Sequence, residues 1–243
     1  MCYNIQYIEK RAEKYKQRYS EIIPPDWNNY KLFDEVTPYY FVSGFVHPQL
    51  PIVKSDGVFL YEWGLIPFWA KDLNGANDIR SKTLNAVGET VFEKPSFRKS
   101  IVSKRCLLGI NGFYEWRDFN GKKYPYHIQL KGGELFSLGC IYENWVDKST
   151  GEIKNTFSIL TTPANAMMEK IHNLKKRMPL IISREDECQW VDPQLNAEKI
   201  KNLIKPFPEN EMEAYTVSTD ANSARKNRNF KEILKPVAYA ELD

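Results

Sequence analysis

The 243-residue sequence has few of the residues that build metal sites or disulfide frameworks, with four cysteines and three histidines. The cysteines lie far apart, and none has the short ligand spacing of a zinc motif. There is no apolar run long enough to cross a bilayer and no signal segment of basic and then apolar residues. We therefore expect a cytoplasmic protein with reduced thiols and without a metal, a cofactor or a membrane partner.

The sequence also lacks a Ser/Gly-rich or Pro-rich linker and any internal repeat. Its 42% apolar and 14% aromatic residues are enough to bury one substantial core. We predict one domain over residues 1–243, with a core that spans about residues 2–220. We expect this domain to be a monomer.

Short strand-like runs dominate the chain, at residues 39–42, 58–63, 106–116, 124–130, 135–142, 157–161, 180–182 and 214–217. Asn120-Gly121 suits a tight hairpin turn, and Gly109 and Gly112 indicate a bulge or a close backbone approach. Helical patterns cover residues 8–19, 164–171 after a Thr162-Pro163 cap, 183–190 after a capping box, and 197–204. This pattern predicts an α+β fold with a mainly antiparallel, barrel-like sheet and peripheral helices.

Positive charge is unevenly distributed, although the net charge is only +3. Residues 78–105 contain seven basic and three acidic side chains, and two further basic clusters lie at residues 170–177 and 225–231. Such clusters are typical of a surface that contacts nucleic acid, and equally of an ordinary solvated surface.

Cys2 becomes the terminal residue if Met1 is removed. Its α-amine, with a pKa of roughly 7.7 to 8.0, is then substantially neutral near physiological pH. Such an amine can attack an aldehyde to give a Schiff base, and the adjacent thiol can close on the same carbon to give a thiazolidine. Alternatively, Cys2 is an incidental second residue.

Three other side chains are candidates for the same chemistry. Glu115, in the aromatic segment Gly112-Phe113-Tyr114-Glu115-Trp116, would have a raised pKa if buried and could transfer protons during imine formation. His172 lies at a predicted helix end, before a basic loop and a buried strand. The amide of Asn85 could hold an N-terminal amine by hydrogen bonds. On the sequence alone, Glu115 could equally face solvent and His172 could be structural.

Several segments together resemble the SRAP family, the SOS response-associated peptidases. They are Met1-Cys2, Trp63-Gly64 with Pro67, Leu84-Asn85-Ala86 with Glu89-Thr90, Lys94-Pro95 with Phe97, the Glu115 segment, and Ile171-His172 with Arg177-Met178-Pro179. Their order matches the family throughout, over roughly residues 2–220.

The resemblance implies a sensor of abasic sites in single-stranded DNA, associated with the nucleoid when it is bound there. Its terminal cysteine forms a thiazolidine with the ring-opened sugar and shields the lesion, with self-removal of Met1 and a lyase-like side reaction. Cys2 would then be the nucleophile, Asn85 would orient its amine, Glu115 would be the general acid and base, and His172 would stabilise and protonate the opening sugar. The DNA contacts would include Arg80, Lys82, Trp69, Arg98, Arg105 and Arg177.

Three departures from the family pattern affect DNA binding. Tyr3-Asn4 follow Cys2 where glycine and arginine are common, Val87 stands where an arginine commonly follows the Asn-Ala pair, and Ala70 stands where some members have a second tryptophan. Each removes a phosphate contact or a stacking surface. Two alternatives stay open: a cysteine peptidase that pairs Cys2 with His172 and acts on other proteins, and a non-catalytic nucleic-acid-binding barrel that stacks bases on Trp63, Phe68 and Trp69.

Overall fold

The computed structural model describes residues 2–9 and 11–242, and these form thirteen strands and six α-helices. The strands are β1 (Asn4–Tyr7), β2 (Tyr39–Ser43), β3 (Gln49–Lys54), β4 (Gly57–Trp63), β5 (Asn85–Val87), β6 (Arg105–Ile110), β7 (Gly112–Phe119), β8 (Lys122–Leu130), β9 (Phe136–Val146), β10 (Ile153–Pro163), β11 (Arg177–Pro179), β12 (Ile181–Ile182) and β13 (Met212–Thr216). The helices are α1 (Ala12–Arg18), α2 (Leu73–Arg80), α3 (Ser100–Ser103), α4 (Ala166–Ile171), α5 (Glu187–Val191) and α6 (Ala197–Leu203). Over the described ranges, no helix has the length and apolar character needed to span a membrane.

A closed barrel forms the centre of the fold. Antiparallel pairing runs from β4 to β3, β6, β9 and β10 in turn, and the parallel pairing of β10 with β4 closes the ring. Three short strands extend this sheet. Strand β5 pairs in parallel with β10, β11 pairs antiparallel with β10, and β12 pairs antiparallel with β9. The predicted α+β class with a mainly antiparallel, barrel-like sheet is confirmed.

A second sheet holds the N-terminal strand between two others. Its order is β13-β8-β7-β1-β2, and every pairing is antiparallel. Within it, Asn4 lies opposite Tyr114 on one side and Ser43 on the other. The backbone that follows Cys2 is therefore fixed beside the Glu115 segment of β7.

The hairpin between β7 and β8 turns where the sequence predicts it. Asn120 and Gly121 have positive φ angles of 52° and 76°, the left-handed conformations that a type I′ turn requires. The close approach predicted at Gly112 is also present, because a Cβ there would lie 2.3 Å from Nε2 of His127. No larger residue fits at this position.

Two predicted elements are wrong in detail. The predicted strand over residues 106–116 is two strands in different sheets, β6 and β7, which are separated at Asn111. The Asn111 side chain accepts a hydrogen bond from the Ile8 N–H at 3.0 Å, so it binds the chain after β1 instead of continuing a strand. Thr162-Pro163 does not cap α4 but ends β10, and Asn165 caps the helix by accepting from the Met168 N–H at 2.9 Å.

Candidate active site

Cys2 and Asn85 meet where the two sheets come together. Cys2 is fully buried just before β1, and Asn85 begins β5, where it lies opposite Ile159 of the barrel. The Asn85 side-chain N–H donates to the Cys2 carbonyl oxygen at 2.9 Å. Asn85 Oδ1 is buried and accepts no hydrogen bond from the described residues. The observed contact is therefore to the carbonyl of Cys2, and Oδ1 is the Asn85 atom available to accept a bond from an amine.

Glu115 is a buried carboxyl group in β7. The residue is 4% exposed, and desolvation raises the pKa of its carboxyl group from the ordinary 4.5 to about 7. Near neutral pH, both the acid and the carboxylate are therefore populated. The predicted burial and raised pKa agree with the structure.

His172 follows the last residue of α4 and faces Glu115. Its Nδ1–H donates to the Arg177 carbonyl oxygen at 2.9 Å, so Nε2 carries no proton in the neutral ring. That Nε2 lies 3.8 Å from Oε2 of Glu115. Burial lowers the pKa of His172 to about 4. At neutral pH His172 is therefore uncharged, and its unprotonated Nε2 lies on the side of Glu115.

The Cys2 thiol belongs to the same electrostatic cluster. Burial, and secondly the charge of the nearby Glu115, raise the pKa of this thiol well above its ordinary range. The thiol is thus held in its protonated form. A reaction that begins with a preformed thiolate does not fit this environment.

A cleft of about 700 Å³ opens beside these groups. Glu115, His172 and Asn4 line it, whereas the fully buried Cys2 is adjacent in sequence to the lining residue Tyr3 and does not itself line the cleft. Three cations also line it: Lys123, Lys175 and Arg228. Its apolar lining includes three strongly exposed side chains: Phe45, Val46 and Leu174.

None of the six predicted DNA contacts lines this cleft. The predicted DNA contact by Arg105 is wrong, because the Arg105 side chain is buried. It donates to four backbone carbonyls, those of Ile101, Val102, Trp190 and Asp192. This guanidinium ties α3 and α5 to β6 and is not placed to bind a phosphate.

The other predicted cations differ in their availability. Arg80 is paired with Glu62, and Arg177 with Glu89 and the Thr161 carbonyl. Lys82 is exposed and forms an i,i+4 pair with Asp78. Arg98 is exposed and lines a separate hollow with Lys99 and Phe68. A DNA contact by Lys82 or Arg98 stays a prediction.

The aromatic residues considered for base stacking differ in their exposure. Trp63 is fully buried, and its indole N–H donates to the Leu84 carbonyl at 2.8 Å, so it cannot stack bases. Ala70 is buried too, and its carbonyl accepts from the Trp145 indole at 2.8 Å. Phe68 and Trp69 are exposed, and the Lys99 ammonium group lies over the Phe68 ring, 3.8 Å from its centre.

The sequence reasoning missed the three cleft cations. Lys175 belongs to the basic cluster after His172, and Arg228 to the last basic cluster, but nothing in either pattern indicates that they meet. Successive side chains of β8 point to opposite faces of the sheet, so Lys122 and Lys123 face different ways, and only the strand pairing reveals which one faces the cleft.

Within residues 2–9 and 11–242, no group of histidine, cysteine and acidic side chains could hold a metal ion. The predicted removal of Met1 concerns a residue outside this described part.

Comparison with known proteins gives a consistent set of relatives. The family model for SOS response associated peptidase (SRAP) matches residues 1–224. The abasic site processing protein YoqW of Bacillus subtilis is 36% identical over 214 residues, which is 80% of this chain and 92% of YoqW. The abasic site processing protein YoaM of the same organism is 34% identical over 217 residues, 82% of this chain and 92% of YoaM.

A solved structure also resembles the whole fold. The crystal structure of a protein from Bacteroides thetaiotaomicron superimposes with a TM-score of 0.88 at 37% sequence identity. The match covers 98% of this chain and 100% of that one. The similarity therefore includes the C-terminal segment that lies beyond the family match.

Proposed function

Because the chain belongs to the SOS response associated peptidase family, we propose that it processes abasic sites in single-stranded DNA, with Cys2 forming a thiazolidine after removal of Met1. The observation that carries the proposal is the meeting of four separate segments at one place. Asn85 holds the Cys2 backbone, and Glu115 and His172 face each other in the adjoining cleft. The curated relatives are named for abasic-site processing, which supports the same substrate.

The first step is attack of the Cys2 α-amine on the aldehyde of the ring-opened sugar. The amine must be neutral, and Asn85 Oδ1 is the acceptor that can orient one of its N–H bonds. The resulting carbinolamine loses its hydroxyl as water when that oxygen receives a proton. The acid form of Glu115 supplies this proton, because its raised pKa keeps that form populated near neutral pH.

The second step closes the ring. The first step leaves a protonated imine, and the thiol sulfur adds to its carbon, so that a C–S bond forms, the C=N π bond breaks and the nitrogen keeps its N–H as a neutral amine. The thiol proton passes to the Glu115 carboxylate produced in the first step, which restores the acid. A thiol that stays protonated until the imine has formed suits this order, since it does not attack prematurely.

His172 has a different role in this scheme from the one that the resemblance implies. Its lowered pKa and its Nδ1–H bond to Arg177 make it a poor proton donor at neutral pH. In this scheme Nε2 accepts a hydrogen bond from a sugar hydroxyl. We assign proton donation to Glu115, and to His172 the holding of the opened sugar.

The peptidase alternative has less support. A thiol–imidazole pair works through a thiolate beside a protonated or hydrogen-bonded imidazole. Here burial disfavours the thiolate of Cys2 and the imidazolium of His172 alike. The non-catalytic alternative also weakens, because Trp63 is buried and its face is unavailable for stacking.

The test is covalent capture of abasic DNA. Protein whose mass lacks Met1 is incubated with a single-stranded oligonucleotide that contains one abasic site, and the products are separated under denaturing conditions. A stable adduct is expected with the native chain and none with Cys2→Ala, for which borohydride should trap only an imine. An adduct that forms equally well with Cys2→Ala, or with Met1 intact, would rule out the terminal aminothiol.

A further inference from the structure

Three cations from three separate elements converge on the cleft beside Glu115 and His172. Lys123 lies in β8, Lys175 in the loop after α4, and Arg228 in the segment after β13. Arg80 and Arg177 are held in ion pairs, but within the described part of the chain no carboxylate pairs with any of these three. Asp118 and Glu115 also line the cleft, so its three cations face at most two negative charges and the lining keeps an excess of positive charge.

Arg228 is the most rigidly held of the three. Its guanidinium carbon lies 4.2 Å from the centre of the Phe41 ring, and Nη1 donates to the Ala221 carbonyl at 3.3 Å. The next residue, Asn229, accepts from the Tyr40 N–H at 2.8 Å and so ties the segment to β2. A guanidinium has five N–H donors in a fixed plane, so most of them stay available to a ligand.

The chemistry of the cleft favours a nucleotide strand over an acidic peptide. Exposed Phe45 and Leu174 share the cleft with the cations, and this combination of apolar surface and positive charge suits bases and phosphates together. Asn4 also lines the cleft, at the position where the family commonly has an arginine. Arg228 belongs to residues 225–242, which lie outside the family match over residues 1–224.

We propose that Arg228, together with Lys123 and Lys175, binds the backbone phosphates next to the lesion, and that it takes the place of the arginine missing after Cys2. The proposal rests on the function proposed above, since it requires a DNA strand in the cleft. It makes the C-terminal segment a part of the DNA-binding surface. The contacts are to phosphates and carry no base preference.

The experiment measures non-covalent binding, apart from the covalent chemistry. A fluorescent single-stranded oligonucleotide with a tetrahydrofuran residue in place of the abasic sugar cannot open to an aldehyde, and its affinity is followed by anisotropy at several salt concentrations. The test variants are Arg228→Gln and Lys123→Gln. The matched controls are Arg225→Gln and Lys122→Gln, which remove exposed charges from the same segment and the same strand but not from the cleft.

Each lost phosphate contact should reduce the slope of log affinity against log salt by about 0.7 for a single strand. Between about 50 and about 200 mM salt, the loss of affinity should then shrink by about 2.6-fold for each test variant. The controls should keep the native slope. The control variants should also crosslink a true abasic site at the native rate, because Arg225 and Lys122 do not line the cleft.

The outcomes separate the two proposals. If the native chain crosslinks abasic DNA while both test variants keep the native salt slope, or if the native chain does not bind the oligonucleotide, the phosphate site is overturned. If the slope falls as expected but the native chain forms no adduct, the phosphate site stands and the crosslinking function fails. Should Arg228→Gln prove unfolded by circular dichroism, Lys123→Gln on β8 decides the question alone.

Discussion

Replacement of Glu115 by glutamine is the sharpest test of the proposed chemistry. Glutamine keeps the size and most of the hydrogen bonding of the buried side chain, but it cannot exchange a proton. If Glu115 is the acid that expels the carbinolamine hydroxyl, crosslinking should slow by about a hundredfold to ten-thousandfold. Reversal should slow by a similar factor, because the return path crosses the same protonation steps.

The burial of Glu115 sets the size of this effect. With its pKa at about 7, about half of the side chain is in the acid form at pH 7. At the ordinary value of 4.5, only about 0.3% would be, so burial enriches the proton donor by about 150-fold. A carboxyl group left in solvent would be a far weaker acid catalyst at this pH.

The pH profile carries the more specific signature. The terminal amine, with a pKa of about 7.7 to 8.0, must be neutral, so the rate falls as the pH is lowered. Glu115 must be protonated, so the rate also falls as the pH rises above about 7. We expect a bell-shaped single-turnover rate with a maximum near pH 7.4, midway between about 7 and about 8. Glu115→Gln should lose the alkaline limb.

The assay is a single-turnover time course between about pH 5.5 and about pH 9, with the adduct quantified on denaturing gels. Glu213→Gln is the matched control, since it neutralises an exposed carboxylate on β13 of the same sheet. If Glu115→Gln forms and reverses the adduct at native rates, or keeps the alkaline limb, this carboxyl group does not carry the proton and the mechanism is wrong.

The remaining predictions concern His172, stability and Arg105. His172→Gln should slow crosslinking less than Glu115→Gln and keep the alkaline limb in the same time courses, because His172 holds the sugar without donating its proton; a lost limb would reverse the two roles. In urea unfolding, Glu115→Gln should gain stability over the native chain as the pH rises from 4.5 to about 7, by up to about 3 kcal/mol, because a raised folded-state pKa costs stability once the unfolded carboxyl ionises. An equal difference at pH 5 and pH 8 would show that the carboxyl group is not desolvated. Arg105→Met should lower the free energy of unfolding by about 3 kcal/mol or more, since it leaves four backbone carbonyls, two of them buried and two partly buried, without their donor. Its salt slope for DNA binding should stay native, and a reduced slope would return Arg105 to the DNA surface.

Part of the fold could be predicted because the signals are local. The hairpin at Asn120-Gly121 needs only two residues that accept positive φ. A glycine at position 112 within a strand-like run indicates a close approach of another group, which the structure has at His127. The break at Asn111 could not be predicted in the same way. It depends on a hydrogen bond to Ile8, 103 residues away in sequence, and on the assignment of two adjacent runs to different sheets.

The same difference between local signals and contacts of residues far apart in sequence applies to the candidate site. The residue types at Cys2, Asn85, Glu115 and His172 could be selected from their chemistry and their motifs. The surrounding charge could not, because a cation's availability depends on its partners in space. Arg105 is the most basic kind of side chain in a basic stretch, yet backbone carbonyls from two helical segments surround it. Arg228 lies far from that stretch and reaches the cleft only because its segment folds back over β2.

The burial of Glu115 links the stability of the fold to the proposed reaction. One pKa unit corresponds to about 1.4 kcal/mol, so a pKa raised from 4.5 to about 7 means that ionising this group in the folded chain costs about 3 kcal/mol more than in water. A side chain selected for stability alone would be apolar or neutral at this position in β7. A carboxyl group whose ionisation is disfavoured is, however, what a proton donor near neutral pH requires, and the burial of Cys2 keeps its thiol protonated, as the proposed order of steps requires. The stability that the folded chain loses between about pH 4.5 and about pH 7 is therefore the direct physical counterpart of the acid catalysis assigned to Glu115.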